Sequence, residues 1–294
     1  MGALAASHAY GLQLQHFPGD QRRPRGNAPV ALPLASLEIV IQTPATPSDP
    51  QPRTCSPIRS LCNLYQASQA PNLYFTMTKF VLTGSDGNLG RVAADFAIEI
   101  LKPEDHLVLT SYNLKSIPED VVAGWRAKGA EVVAASYDDV EGMKKVFEGA
   151  EAVGFISTWL FGQGRRNQAK NVCAAAKAVG VKRVCYTSFV GAGCETDVEE
   201  EIPFLPRDHH FVEKIVKESG LDYNIQRNWL YMDNIPTLFA PSWKFCGDKW
   251  LSNSHGVPGA YVAREDCSRV FAALILGRGE PNKVYDVTGP EASQ

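Results

Sequence analysis

No stretch of this chain stays apolar long enough to cross a bilayer, because charges or prolines interrupt every promising run. Nor does one sign of charge dominate. Against 32 Asp and Glu stand 29 Lys and Arg, a net charge of −3, which gives no electrostatic case for nucleic acid or an anionic membrane as partner. Cysteine is sparse and unpatterned: Cys55, Cys62, Cys173, Cys185, Cys194, Cys246 and Cys267 are odd in number and scattered. That excludes a disulfide framework or a zinc site and points to reduced, cytoplasmic usage. Cys173 and Cys185 fall inside apolar runs and read as core residues. Lysine is missing altogether before Lys79.

That last absence marks a boundary. Residues 1 to 76 hold ten of the nineteen prolines, and five arginines outnumber Asp20, Glu38 and Asp49. Little periodicity survives beyond Leu34 to Ile41, so the segment cannot bury a core and is predicted to be a disordered extension. Its acid-poor, Arg- and Ser-containing composition leaves an organelle transit peptide as one origin, although the prolines would break the helix such a peptide needs. The other origin is an upstream extension of a chain whose translation starts at Met77. Residues 77–294 are predicted to form the folded domain.

That domain opens on its most informative stretch. Phe80, Val81 and Leu82 are a short apolar run suited to a buried parallel strand. Gly84, Gly87 and Gly90 follow at three-residue spacing, and Leu89, Val92, Ala93, Phe96 and Ile100 then carry helical spacing. A strand that turns on glycines into a helix N-terminus leaves backbone N–H groups and the positive dipole end facing one spot, which suits a pyrophosphate. Strands and helices then alternate. Strands are predicted at His106–Thr110, Glu131–Ala135, Ala152–Ile156, Arg183–Thr187, Tyr223–Gln226 and Lys283–Thr288. Helices are predicted at Pro118–Lys128, Val140–Phe147, Arg165–Val179, Asp208–Ser219 and Arg264–Leu276. The pattern predicts an α/β fold, a doubly wound parallel sheet of Rossmann type. Residues 229 to 262 break the rhythm with Trp229, Tyr231, Phe239, Trp243, Phe245, Trp250 and Tyr261, and are predicted to form a small irregular substrate lobe over the sheet's carboxyl edge. The sequence stops where a further helix is expected, which predicts a missing C-terminal segment.

A series of short motifs then appears in order: Thr83–Gly90, Tyr137-Asp-Asp139, Ile156-Ser-Thr158, Gln168-x-x-Asn171, Ala174–Val181, Tyr186-Thr-Ser188, His209-x-x-x-Glu213, Arg227-Asn228 and Arg264-x-Asp266. Together they resemble the NmrA-like family of atypical short-chain dehydrogenases/reductases, near its quinone oxidoreductase and triphenylmethane reductase branch. The resemblance runs from residue 77 to 290. It implies an NAD(P)-binding core with cofactor contacts from Gly84, Ser85, Asp86, Gly87, Asn88, Leu89, Gly90, Ser111, Tyr112, Ser136, Tyr137, Ser157 and Thr158. The chain departs from the family where Gly84-Ser-Asp-Gly87 replaces Gly-Ala-Thr-Gly, placing Asp86 near the phosphates. It departs again at Tyr112, near which relatives carry arginine, and at Ser136, where aspartate is common. No acid ends the second predicted strand, Thr110-Ser-Tyr-Asn113, while Lys115 and Arg91 lie within reach. NADP(H) is therefore expected over NAD(H).

None of the ten tyrosines has a lysine four residues later, the pair that typical short-chain dehydrogenases use as acid. Ser188, at the end of the fifth predicted strand, and His209, where the family carries His or Lys facing the cofactor, are the catalytic candidates. A histidine with the ordinary pKa near 6.5 can give a proton to a developing oxyanion; the plainer alternative is a surface histidine beside His210. Arg227 is either salt-bridged or a ligand for an anionic substrate group. His209 and Glu213 share a helix face, but two ligands without a third do not predict a metal. Hydride transfer to a conjugated acceptor needs little acid help. The resulting expectation is an NAD(P)H-dependent oxidoreductase of quinone-like or other conjugated aromatic small molecules. The alternative is a non-catalytic NAD(P)-binding redox sensor acting through a protein partner.

Overall fold

The computed structural model describes residues 13–16, 41–42, 77–247, 249–252, 259–289 and 292–293. Its strands are β1 (Gln13–His16), β2 (Ile41–Gln42), β3 (Lys79–Leu82), β4 (His106–Ser111), β5 (Glu131–Ala134), β6 (Ala150–Phe155), β7 (Arg183–Phe189), β8 (Asp222–Asn228), β9 (Leu230–Tyr231), β10 (Lys249–Ser252), β11 (Gly259–Val262), β12 (Lys283–Val287) and β13 (Ala292–Ser293). The α-helices are α1 (Asn88–Ile100), α2 (Glu119–Ala127), α3 (Val140–Phe147), α4 (Gln163–Ala178), α5 (Phe204–Glu218) and α6 (Arg264–Ile275).

The central sheet runs β12-β8-β7-β6-β3-β4-β5, all parallel, with β2 added antiparallel on the β12 edge. Successive side chains of a strand face opposite ways. Phe80 and Leu82 accordingly enter the core shared with α1, α2 and α6, while Val81 enters the core of α3, α4 and α5. Both faces are covered, as a doubly wound parallel sheet requires. The chain winds outward from β3 to β4 and β5, then returns to lay β6 on the other side of β3. That reversal opens a crevice at the carboxyl ends of β3 and β6, the standard ligand position of such sheets.

Several boundaries differ from the sequence reading. Helix α5 begins at Phe204, four residues before the expected Asp208, with Pro203 at its N-cap and Pro206 inside its first turn. A proline there gives up an N–H that has no helical partner anyway. Strands β7 and β8 run longer than expected, so Ser188 and Arg227 sit inside the sheet as register partners. Arg227 is not past its strand but within it. The described residues of the stretch 229 to 262 hold more regular structure than expected. They form β9, a π-helical turn at Ile235–Phe239, a 3₁₀ helix at Ala240–Phe245, β10 and β11. Strand β11 pairs parallel with β9 and antiparallel with β13.

The disorder expected for residues 1–76 falls on residues outside the described ones except at two short strands. Gln13–His16 pairs antiparallel with β10, and Ile41–Gln42 with β12. An edge strand offers unpaired N–H and C=O groups, which accept any extended segment brought alongside.

Candidate functional site

The carboxyl ends of β3, β4, β5 and β6 bring the sequence-read nucleotide residues to one edge. Gly84–Gly90 lies after β3, Ser111 and Tyr112 at the end of β4, Ser136 and Tyr137 after β5, and Ser157 and Thr158 after β6. Within the glycine loop three backbone donors are already engaged. Thr83 N–H donates to the Gly154 carbonyl at 3.0 Å, Ser85 N–H to Thr110 at 2.9 Å and Gly87 N–H to Gly84 at 3.1 Å. These bonds fix the loop between β4 and β6. The first helical bond of α1 is Arg91 N–H to the Gly87 carbonyl at 2.9 Å, and no side chain caps the helix. Asn88, Leu89 and Gly90 therefore present their N–H groups at an uncapped helix start.

The three glycines do different jobs. Gly84 has φ +68°, a left-handed conformation that favours glycine. A Cβ on Gly90 would overlap the Gly84 carbonyl, so helix and loop touch backbone to backbone. A Cβ on Gly87 would meet only the Gly84 carbonyl oxygen, at 3.4 Å, and the residue is exposed. Its free side is where a phosphate approaches. On the first turn of α1, Arg91 Nε is buried without a hydrogen-bond partner. Together the uncapped N-terminus, the Gly87 clearance and the orphan guanidinium donor fit a dinucleotide phosphate.

Other residues in the set act through their surroundings. The Ser85 hydroxyl is fully buried and donates to the Leu82 carbonyl, and Leu89 packs inward, so both offer only backbone to a ligand. Asp86 turns aside to accept a long 3.4 Å bond from the Ser116 hydroxyl. The Tyr137 hydroxyl is engaged by Thr83 Oγ1 and donates to the Ile156 carbonyl at 3.1 Å; burial pushes its pKa well up. Gln168 and Asn171 on α4 anchor these loops. Thr158 donates to Gln168 Oε1 at 2.9 Å, and Asn171 Nδ2 to the Tyr137 carbonyl at 2.9 Å. Tyr112 is 74% exposed at the rim.

On the other side of the crevice the hub is Glu213, a residue the sequence reading weighed only as a metal ligand. It is 1% exposed, and four donors converge on it. Ser188 Oγ reaches Oε1 at 2.7 Å, Arg227 Nε reaches Oε1 at 2.8 Å and Nη2 reaches Oε2 at 2.7 Å, and Lys217 Nζ reaches Oε2 at 3.1 Å. Burial alone would raise the Glu213 pKa. The Arg227 hydrogen bonds and charge, with Ser188 and Lys217, outweigh it and hold the carboxyl below 4.5. Arg227 is locked by one edge of its guanidinium, and Gly193 lies so close that a Cβ there would overlap the planar group. The salt-bridged alternative for Arg227 is thus present, and the residue also lines a cavity.

That cavity, about 370 Å³, opens at the carboxyl ends of β7, β8 and β12. Arg227, Gly193, Cys194, Trp229, Asp286 and Thr288 line it. Trp229 Nε1 and Thr288 Oγ1 are buried without hydrogen-bond partners. Burial raises the Asp286 pKa, against the opposing pull of Arg227.

A profile of the NAD(P)H-binding family matches residues 87–276. The chain belongs to the NAD(P)H-binding family. This NAD(P)H-binding protein is 30% identical over 220 residues to quinone oxidoreductase 2 of Escherichia coli, covering 72% of this chain and 68% of that one. It is 24% identical over 216 residues to an NmrA-like family domain-containing oxidoreductase of Aspergillus flavus, covering 72% and 66%. Among solved structures, an Escherichia coli NADPH-dependent quinone oxidoreductase bound to NADPH aligns with TM-score 0.56 and 28% identity, covering 72% of this chain and 70% of that one. The chain thus spans about two-thirds of these relatives' length, and the NmrA-like resemblance read from its motifs holds.

For His209 the family member departs from the sequence reading. The imidazole is 8% exposed, between Tyr186 and Phe189, with Nδ1 2.8 Å from the Tyr186 hydroxyl. Burial, with Arg165 adding to it, lowers its pKa from 6.5 to about 3. It is neither a surface histidine nor an imidazolium acid at neutral pH. Between those two pKa values the unfolded chain binds a proton that the fold refuses, so stability falls as pH drops from 6.5 towards 3. In a series of melts from pH 7 to pH 4, His209→Gln should therefore flatten the loss of thermal midpoint relative to wild type; parallel slopes would contradict the buried, neutral ring. Among the described residues no cluster of His, Cys, Asp and Glu is arranged to hold a metal ion, and no helix is long and apolar enough to cross a membrane.

Proposed function

We propose that this protein is an NAD(P)H-dependent oxidoreductase that reduces a quinone-like or other conjugated aromatic small molecule. The observation that carries the reading is the glycine loop: uncapped N–H groups at the start of α1, beside a Gly87 whose only spare room faces outward. Asn88, Leu89 and Gly90 bind the pyrophosphate through backbone donors. The cofactor supplies hydride when bound. At the cavity end, Arg227 offers its guanidinium to an electron-rich carbonyl oxygen, while Glu213 and Ser188 keep the group from turning. Arg227 and Ser188 act as positioning and binding groups, and His209 supports the strand from behind as a neutral ring. The missing Tyr/Lys pair leaves alcohols and simple ketones without an acid, and a conjugated acceptor does not need one. The quinone and NmrA-like relatives are oxidoreductases, which favours turnover over the sensor alternative.

Cofactor choice follows from the end of β4. Ser111, Tyr112 and Asn113 place no carboxylate against a 2′-phosphate, and the orphan Nε of Arg91 lies on the adjoining helix turn. NADPH should bind about tenfold tighter than NADH, the worth of one added charge-assisted bond at about 1.4 kcal/mol. Calorimetric dissociation constants in the opposite order would refute this. Steady-state loss of reduced-nicotinamide absorbance across a panel tests the reaction class. Quinones should turn over, and unconjugated ketones should not rise above the uncatalysed rate. Turnover of the ketones alone would overturn the substrate class.

A further inference from the structure

The wall of the same cavity carries a group with no part in hydride transfer. Cys194, in the loop after β7, has its Sγ 3.3 Å from Nδ1 of His210 on α5. The same Nδ1 lies 2.9 Å from the Ala192 carbonyl, and Nε2 lies 2.8 Å from Asp197 Oδ1. Nδ1 thus faces both the sulfur and a carbonyl oxygen, and Nε2 faces a carboxylate oxygen. Asp197 is itself held by Lys214 Nζ at 2.6 Å. The titratable and charged groups around the sulfur are His210 from α5, with Asp197 and Lys214 behind it, and Arg227 from β8, with Glu213 and Asp286 around it. A thiol at hydrogen-bond distance from a histidine that is itself held by a carboxylate is the arrangement of a nucleophilic cysteine, and Arg227 lines the same cavity. Cys173, Cys185 and Cys267 are buried, with pKa values pushed up by burial to about 12, 11 and 12.

We propose that Cys194 is a nucleophilic site on the cavity wall that captures quinones and related conjugated carbonyl compounds as thioethers. The inference draws on the reading of this cavity as one that admits a quinone-like ring. Trp229 Nε1 and Thr288 Oγ1, buried and unpartnered among its lining residues, are donors for that ring's oxygens. The thiolate sulfur attacks the ring carbon β to a carbonyl, forming an S–C bond. The displaced π pair moves onto the carbonyl oxygen, which takes up the proton the thiol gave up. The hydrogen on the attacked carbon then leaves as a proton while the second carbonyl oxygen takes one up, so the ring becomes a hydroquinone thioether, reduced by two electrons at the expense of the sulfur. No atom is lost overall, and no oxidant or cofactor takes part.

The test uses the full chain without NADPH, incubated with limiting 1,4-naphthoquinone and read by peptide mass mapping over time. Cys194 should gain the adduct ahead of Cys246, the other partly exposed thiol among the described residues, and well ahead of the three buried ones. His210→Gln should slow labelling of Cys194 about tenfold, because it removes the ring that faces the sulfur. Asp197→Asn, at an exposed position that threatens the fold less, should slow it in the same direction. Labelling of Cys194 no faster than Cys246, or at an unchanged rate in Asp197→Asn, would overturn the proposal. NADPH turnover with the same quinone is scored separately. Turnover without the adduct removes this site and leaves the reductase, whereas the adduct without turnover keeps the site and removes the reductase.

Discussion

Gly87→Val is expected to leave the protein folded and to abolish NADPH binding. Gly87 sits at φ −74° and ψ 163°, a backbone conformation valine adopts freely, and its Cβ would make only an ordinary contact. The isopropyl branches instead fill the outward space a phosphate needs. Losing about two charge-assisted backbone bonds, at about 1.5–3 kcal/mol each, weakens binding at least about a hundredfold. Gly90→Ala should behave oppositely, because its Cβ collides with the Gly84 carbonyl inside the helix–strand contact. That variant should lose thermal stability first. Calorimetry and a thermal melt on both variants separate the two roles. A Gly87→Val protein that binds NADPH normally would remove the cradle from this account.

Glu213→Ala should be the most destabilising single change at the cavity end. It strands the half-buried Arg227 and the buried Ser188 hydroxyl without their acceptor. Breaking a buried pair by deleting one partner costs about 3–5 kcal/mol. At about 2–4 °C per kcal/mol for a domain of this size, the thermal midpoint should fall by about 10 °C. The pH dependence gives a second check. Because the folded carboxyl is held below 4.5, its stabilisation is present above that value and is lost as pH falls through the folded pKa. The gap between wild type and variant should therefore narrow in acid. A midpoint shift below about 2 °C at neutral pH would show that the four bonds contribute little.

The parallel sheet was legible because its signals are local. Phe80–Leu82 before three spaced glycines can be read without knowing any distant contact, and so can the alternation of strands and helices. Ser188 and Arg227 were legible as residues, but their meeting at Glu213 was not. A buried carboxylate at a helical position looks like any solvated glutamate until the register of β7 on β8 is known. His209 misled for the same reason: only its packing against Tyr186 and Phe189 decides its charge. Cys194, His210 and Asp197 belong to the same class, three ordinary residues joined by a loop whose path the sequence does not spell out. The pairings of Gln13–His16 and Ile41–Gln42 lay within a proline-rich segment that showed almost no period of its own.

The central claim, that the glycine loop binds a reduced dinucleotide which this protein uses to reduce a quinone, is tested most directly by one paired assay. NADPH consumption with 1,4-naphthoquinone is followed for wild type and for Gly87→Val at equal, verified folded concentration. The account predicts one NADPH consumed per quinone reduced by the wild type and consumption at the uncatalysed rate for the variant. Equal consumption by both proteins, or none above background by the wild type, would contradict it.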